Sequence, residues 1–179
     1  MQLEKKKFSQ SGVLSENKIG FNNVSVDQTL LMASVFAKLL KSSDTLLLFG
    51  DIGSGKTFFA RGVIQEMMRS QRRLLEEVPS PTFTIVQTYD VLSPPVWHLD
   101  LYRLSDAKEI IELDLEDAFE TGICLIEWPN KMGSFIPKRN ISIIFDQVDT
   151  AYDRRNIFIE LNGTGWDRVY NGLLKSLSA

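Results

Sequence analysis

The chain has 179 residues, of which 44% are hydrophobic and 24% are charged, and its formal net charge is −3. A chain of this length is expected to form one domain with a sizeable core, and the composition is typical of a globular rather than a disordered protein. The negative net charge argues against a surface that carries a large nucleic-acid footprint of its own.

The sequence shows no signal for export or membrane insertion. The first residues, MQLEKKKFSQSG, lack the apolar core of a secretory signal, and no apolar run approaches the roughly 20 residues that span a bilayer. We therefore expect a cytoplasmic protein without a membrane partner, forming a single domain over residues 1–179 with residues 1–20 as a short extension. The single cysteine, Cys124, is interpreted as a small buried hydrophobe rather than a reactive thiol.

The first half of the chain contains a predicted helix, a strand and a second helix. Ser25 and Gln28 have the spacing of a capping box, and apolar residues recur on one helical face as far as about Lys41. The run TLLLF, residues 45–49, is continuously apolar, which is typical of a strand buried on both faces of a parallel sheet. After a glycine-rich turn, KTFFARGVIQEMMRS, residues 56–70, predicts the second helix.

The second half alternates strands with helical segments. Two strands are predicted after proline pairs, TFTIVQTYDV and PVWHLDLY, and an acidic helix follows over about residues 106–120. GICLIEW is a further buried strand, and NISIIF and NIFIELN form a predicted hairpin split by the polar turn DQVDTAYDRR. The last helix places apolar residues from Trp166 to Leu177 on one face. The alternation predicts an α/β three-layer domain with a mainly parallel central sheet and antiparallel additions.

The stretch GDIGSGKT, residues 50–57, has the spacing G-x-x-x-x-G-K-[ST] of a Walker A loop. Its glycines permit backbone angles closed to other residues, so that successive N–H groups can converge on phosphate oxygens. Lys56 would offer its ammonium to the β and γ phosphates, the Thr57 hydroxyl would bind Mg²⁺, and the helix that begins there adds its positive dipole end. A glycine-rich turn that binds nothing is the alternative, but a strand before and a helix after favour a domain of the P-loop NTPase type.

A magnesium-nucleotide site also needs a carboxylate, and two predicted strands end in one. VWHLD ends at Asp100 and GICLIE ends at Glu127. Because ligands of open α/β sheets lie outside the carboxyl ends of the strands, both acids are expected to face the loop. One would hold the metal and the other could orient water, and which does which stays open; an ordinary strand-end acid in solvent is the alternative for each. His98 shares the sheet face of Asp100 and is interpreted as a supporting residue rather than a base.

The nucleotide is expected to be ATP rather than GTP. The stretch WPNKMG superficially resembles the N-K-x-D guanine reader, but Gly133 stands where guanine recognition needs an acid. No D-x-x-G switch follows a strand either, since Asp100 is followed by Leu101, Tyr102 and Arg103.

The motifs GDIGSGKT, SPTFT, HLDLYRL and LIEWPNK, in this order, resemble the TsaE family, small P-loop ATPases of bacterial tRNA threonylcarbamoyladenosine (t6A) synthesis. The resemblance covers nearly the whole chain, from the capped helix near Ser25 to the strand after Arg155. The departures are small: Ile52 and Ser54 stand where the family commonly has Leu and Ala, and Pro129 follows the tryptophan where other residues are usual.

The resemblance implies a set of site residues. It implies a phosphate cradle formed by Asp51, Ile52, Gly53, Ser54, Gly55, Lys56 and Thr57. It implies magnesium ligands at Thr57 and Glu127, with Asp100 as an acid for catalysis or metal binding.

Four further positions match the family pattern. Thr82, in SPTFT, matches a threonine near the γ-phosphate, although from the residues alone a simple turn residue is an equal reading. Trp128 matches a tryptophan next to the nucleotide. Lys131 and Arg155 match basic positions near the phosphates or the base.

The resemblance also implies an activity. ATP would be hydrolysed to ADP and phosphate with Mg²⁺, and Lys56, Asp100, Glu127 and Thr82 would be the catalytic residues. Because the sequence offers no obvious arginine finger, hydrolysis by the chain alone is expected to be slow and to be stimulated by a partner. The partners would be homologues of TsaD and TsaB, with tRNA met only through that complex. A small-molecule P-loop kinase and a nucleotide-gated binding module with incidental hydrolysis are the alternatives.

Overall fold

Short apolar runs and amphipathic segments fold as an α/β sheet in the computed structural model, which describes residues 11–15, 17–148 and 151–177. The elements in chain order are β1 (Ser11–Ser15), β2 (Lys18–Val24), α1 (Val26–Leu39), β3 (Thr45–Phe49), α2 (Lys56–Ser70), β4 (Val86–Tyr89), β5 (Val96–Asp100), α3 (Glu109–Glu112), α4 (Glu116–Thr121), β6 (Ile123–Glu127), a 3₁₀ segment (Pro129–Phe135), β7 (Asn140–Val148), β8 (Ala151–Asn162) and α5 (Asp167–Leu177).

The described strands form one eight-stranded sheet in the order β1-β2-β8-β7-β3-β6-β5-β4. At its centre β3 pairs in parallel with β6 and β7, and β6 pairs in parallel with β5. The pairings towards both edges, β1–β2, β2–β8, β7–β8 and β4–β5, are antiparallel. The predicted class, a parallel sheet centre with antiparallel additions, is confirmed.

The sheet separates two apolar clusters, which makes three layers. Successive residues of a strand point to opposite faces, so Leu46 and Leu48 pack with α1, α2 and α5 while Leu47 packs with α4 and the 3₁₀ segment. All three leucines are buried, and burial of each contributes about 1.5–3 kcal/mol to folding. Cys124 also lies in the second cluster, and burial raises the pKa of its thiol to about 12, which confirms the buried-hydrophobe interpretation.

The first two helices match their sequence signals closely. The capping box of α1 forms as predicted: the Ser25 side chain accepts from the Gln28 N–H, and the Gln28 side chain accepts from the Ser25 N–H. The helix ends at Leu39, two residues before the predicted end at Lys41. Helix α2 has the predicted bounds, Lys56–Ser70.

Two predictions between α2 and β6 were wrong in extent. The strand predicted from residue 82 begins only at Val86, because Ile85 has a positive φ of 65° and its N–H closes a turn on Pro81 O at 2.6 Å. The acidic helix predicted over residues 106–120 is two short helices, broken where Asp114 takes a φ of 46°. Both breaks place non-glycine residues in the left-handed region, which local propensity does not predict.

The sheet is also larger than predicted on the side of β8. Strands β1 and β2 were not predicted, and residues 11–15 and 18–20, expected as part of an extension, lie in them; residues 1–10 and 16 fall outside the described residues. The polar turn predicted over residues 146–155 is mostly strand, because β7 continues to Val148 and β8 starts at Ala151. Within the described residues no helix has both the length and the apolarity to cross a bilayer.

Candidate nucleotide site

The glycine-rich loop joins the end of β3 to the start of α2. Gly50 has a φ of 139°, and a Cβ there would lie 2.6 Å from the Phe145 carbonyl oxygen, so this position requires glycine. Gly55 precedes the first helical residue with a φ of 110°. Because it has no side chain, the first turn of α2 is not capped from within and its N–H groups face an incoming ligand. The loop has the shape that phosphate binding requires.

Lys56 reaches back over this loop from the first turn of α2. Its ammonium donates to Gly50 O and Asp51 O, each at 2.8 Å, and lies 4.0 Å from the centre of the Trp128 ring. Burial lowers the pKa of Lys56, against the opposing effect of Glu127, Asp100 and Asp51. The ammonium is therefore held by carbonyl oxygens, and no carboxylate of the described part of the chain forms an ion pair with it, which suits it to a phosphate.

Glu127 ends β6 and ties that strand to the loop. Its Oε2 accepts from the Thr57 hydroxyl at 2.8 Å, and its Oε1 lies 2.9 Å from His98 Nε2. Glu127 and His98 are both buried, at 2% and 0% exposure. A buried carboxylate with a partner on each oxygen has a fixed orientation, so its free lone pairs point in set directions.

Asp100 ends β5 and lies beside Glu127, its partner in the parallel register. Its Oδ2 accepts from the Thr82 hydroxyl at 2.6 Å and from the Ser80 hydroxyl at 3.0 Å, and its Oδ1 accepts from the Tyr102 N–H at 3.2 Å. The carboxylate thus holds the turn of residues 80–85 against the end of the sheet. Thr82 reaches the same edge as the Walker loop through this contact.

Trp128 follows Glu127 in a left-handed conformation, with a φ of 58°. This turn places its ring against Lys56 on one side and against Tyr102, whose ring centre is 5.0 Å away. A tilted aromatic pair together with a cation over the indole accounts for the strained backbone at this position.

The two other predicted basic residues contact backbone oxygens. Lys131 donates to Leu104 O at 2.9 Å, in the segment after β5. Arg155, on β8, donates from Nε to Ser54 O at 2.8 Å and from Nη2 to Gly53 O at 3.0 Å. The structure therefore brings Arg155 to the Walker loop, whereas the hydrogen bond of Lys131 is to a different segment.

A cavity of about 310 Å³ opens beside the loop on the side of α1 and the β7–β8 hairpin. Most of its wall is apolar or backbone, with Val24, Phe58 and Phe145 among the lining residues, and Asp153 and Arg155 add two charged residues to it. A concave, mainly apolar pocket next to a phosphate cradle has the character of a site for a nucleoside.

The oxygen atoms at this edge suit magnesium. Thr57 and Glu127 supply a hydroxyl and a carboxylate, which are hard ligands, and Mg²⁺ in nucleotide sites takes one or two such groups together with phosphate oxygens and water. Among the residues that the structure describes, no group of three or more His, Cys, Asp or Glu side chains could hold a metal ion by itself. The donor set fits a metal that arrives with a nucleotide.

Sequence reasoning missed several partners of the predicted residues. The Ser80 hydroxyl donates to Asp100, and sequence reasoning gave this residue no role although it is the first residue of the SPTFT motif. The contact of His98 with Glu127 joins two strands 29 residues apart, and only the register of β5 with β6 reveals it. The cavity had no sequence signal, since its wall combines α1, β7 and β8.

Comparisons with known proteins found a matching family model and similar proteins. A family model described as threonylcarbamoyl adenosine biosynthesis protein TsaE matches residues 24–157. The chain is similar to a Rickettsia felis protein named tRNA threonylcarbamoyladenosine biosynthesis protein TsaE, with 40% identity over 123 residues, covering 69% of this chain and 70% of the relative. A Bacillus subtilis protein of the same name is 30% identical over 153 residues, which cover 85% of this chain and 91% of the relative.

A solved structure has the same fold. The crystal structure of Bacillus subtilis YdiB superposes with a TM-score of 0.71 at 24% identity, covering 93% of this chain and 97% of that one. The residues that the family model matches include the Walker loop, both strand-end carboxylates and Arg155.

Proposed function

The chain belongs to the TsaE family of threonylcarbamoyl adenosine biosynthesis proteins, and from this premise we propose that it is the ATP-hydrolysing subunit required for t6A modification of tRNA. One observation carries the proposal. The Walker loop, the Thr57–Glu127 pair and the Thr82–Asp100 pair meet at one edge of the sheet. This is the set of groups that phosphoryl transfer to water requires.

The loop and Lys56 bind the phosphates. The N–H groups of the first turn of α2 would donate to the phosphate oxygens, and Lys56 would exchange its carbonyl partners, Gly50 O and Asp51 O, for them. Burial at 4% exposure keeps water from competing with that contact. The nucleoside enters the cavity on the side of α1, where an apolar wall accepts a base.

Thr57 and Glu127 would hold the metal. Mg²⁺, when bound there, neutralises charge on the β and γ phosphates. His98 occupies Oε1 of Glu127, which leaves the Oε2 side, next to Thr57, as the metal side. These hydrogen bonds support Glu127 as the metal ligand.

Asp100 and Thr82 orient the attacking water. The Thr82 hydroxyl donates to Asp100 Oδ2, and Ser80 donates to the same oxygen, so the turn and the acid are held together. In this arrangement Asp100 accepts a proton from the water while Thr82 faces the γ-phosphate. This division gives each of the two acids a separate task.

The exposed residues around this edge support a partner. Ile52 of the Walker loop is 69% exposed, Phe83 of the turn that Asp100 holds is 85% exposed, and Tyr102, directly after β5, is 45% exposed. Exposed apolar and aromatic side chains on the segments that carry the site residues are typical of a protein-binding surface. We assign them to contact with the homologues of TsaD and TsaB in the cytoplasm, where docking would complete the site and raise a slow intrinsic rate; tRNA would be reached through that complex.

The test is reconstitution with purified TsaD and TsaB homologues. We expect a complex whose formation depends on ATP, release of inorganic phosphate that the complex stimulates, and t6A in tRNA. Transfer of the γ-phosphate of ATP to a small-molecule acceptor, rather than its release as inorganic phosphate, would identify a kinase instead. If Glu127→Ala or Asp100→Ala abolished hydrolysis but left t6A formation intact, hydrolysis would be incidental to a gated binding module.

A further inference from the structure

Arg155 lies in β8, where it pairs in register with Val24 of β2 and Gln147 of β7. Its side chain leaves the sheet and reaches the Walker loop, 101 residues earlier in the chain. Nε donates to Ser54 O at 2.8 Å and Nη2 donates to Gly53 O at 3.0 Å. The guanidinium thus holds two consecutive carbonyl groups of the loop.

The remaining donors of Arg155 hold it to its own strand. Nη1 donates to Tyr152 O at 2.8 Å and to Arg154 O at 2.6 Å. A guanidinium has five N–H donors, and these four contacts leave one hydrogen on Nη2. Arg155 is therefore a brace between the hairpin and the loop rather than a free cation beside it.

The planarity of the peptide bond links these contacts to the ligand side of the loop. In a trans peptide the carbonyl of one residue and the N–H of the next point in opposite directions. Because Ser54 O faces Arg155, the Gly55 N–H faces away from it. Because Gly53 O also faces Arg155, the Ser54 N–H turns towards Asp51 O, which it meets at 3.1 Å. Lys56 fixes the first carbonyls of the loop in the same way, at Gly50 and Asp51.

We propose that Arg155 is a positioning residue: it fixes the Gly53 and Ser54 carbonyls so that the Gly55 N–H is presented to the phosphates, and it does not bind the phosphates itself. The inference rests on the proposed function in that it takes the loop to be a nucleotide site. It assigns to the charge of Arg155 a structural task, where the sequence pattern suggested contact with phosphates or base.

The guanidinium shape is essential to this task. Arginine carries its donors in a rigid planar fork, whereas lysine has a single ammonium point. A lysine at 155 keeps the charge but has no fork with which to span Ser54 O, Gly53 O and Tyr152 O together. The charge and the brace can therefore be separated by substitution.

The experiment compares Arg155→Lys and Arg155→Met with a matched control, Arg154→Met. Arg154 is the neighbouring arginine, and its guanidinium donates to Asn23 O at 3.1 Å, outside the loop. Calorimetry measures affinity for Mg-ADP, hydrogen exchange measures protection of the amides of residues 50–57 in nucleotide-free protein, and thermal denaturation checks the fold.

We expect both Arg155 variants to bind ADP about tenfold more weakly, as loss of charge-assisted hydrogen bonds implies, and their loop amides to exchange faster. Arg154→Met should match the wild type in both measurements. Wild-type affinity in Arg155→Lys beside weak binding in Arg155→Met would overturn the proposal, because charge alone would then suffice. Unchanged loop exchange in either Arg155 variant would also overturn it. Failure of the wild type to bind ADP would refute the proposed function. Hydrogen exchange of the loop amides would still test whether Arg155 fixes the loop.

Discussion

The Walker loop lies between two regions that differ in chemistry. On the strand-end side, the ends of β5 and β6, carboxylates and hydroxyls bond to one another: Asp100 to Thr82, and Glu127 to Thr57. On the hairpin side, formed by β7 and β8, a guanidinium bonds to backbone carbonyls and an apolar wall lines a cavity. The first side carries groups that can accept a proton or a metal, and the second carries groups that fix shape. This difference implies that rate and affinity can be changed separately.

Lys56→Ala should have the largest effect, because Lys56 contacts the loop and also faces the acids of the strand-end side. We expect loss of nucleotide binding and hydrolysis together, by about 10²-fold or more. Calorimetry with Mg-ADP measures nucleotide binding, and phosphate release from ATP measures hydrolysis. Hydrolysis at the wild-type rate in this variant would show that the mechanism does not need the Walker lysine. Circular dichroism of the variant distinguishes loss of function from loss of fold.

Asp100→Asn should slow hydrolysis by about 10²-fold while leaving ADP affinity near the wild-type value, since the proposed role of Asp100 is to orient the attacking water. Phosphate release measures the rate and calorimetry with Mg-ADP measures the affinity.

Glu127→Gln should instead raise the Mg²⁺ concentration needed for half-maximal rate, because it removes a metal ligand. The measurement is a magnesium titration of phosphate release in the assembled complex. The same magnesium dependence in both variants would contradict the separate tasks of the two acids.

The pH dependence of binding should show a smaller effect. Burial lowers the pKa of Lys56, so its ammonium loses a proton at a lower pH than an ordinary lysine does. Nucleotide affinity should therefore fall as the pH rises into the alkaline range, because phosphates bind the protonated form. Lys56→Arg, which stays charged, is the control and should show a flatter profile. If nucleotide affinity fell with pH in the same way in the wild type and in Lys56→Arg, the pH dependence would belong to another group.

The emission of Trp128 should give the smallest signal. Its ring lies 4.0 Å from the Lys56 ammonium, which the proposed mechanism moves towards the phosphates. In a Trp97→Phe, Trp166→Phe background, ATP should change the emission spectrum. The same change on adding ATP to a variant that also carries Lys56→Ala would show that the signal does not report the loop.

The sequence predicted the features that depend on neighbouring residues. The capping box at Ser25, the strand before the loop and the bounds of α2 follow from local pattern, and all were confirmed. Asp100 and Glu127 were found because each ends an apolar strand, and parallel strands present their ends at one edge.

The features that the sequence did not predict depend on distant contacts. Strand β2 is specified by pairing with β8, which lies more than a hundred residues later in the chain. The turn at Ile85 keeps a strained backbone because Thr82 and Ser80 bond to Asp100. The brace from Arg155 joins segments that meet only in the folded sheet. Periodicity carries no information about contacts of this kind.

The register that places Asp100 beside Glu127 also limits how the chain can change in length. One residue gained or lost inside β5 would turn the acid to the other face of the sheet and bring Leu99 or Leu101, now buried, to the edge. The same change in the turn before Val96 would leave the strand in place. Insertions and deletions should therefore be tolerated before β5 and rejected within it, a pattern that a library of single-residue length variants would reveal.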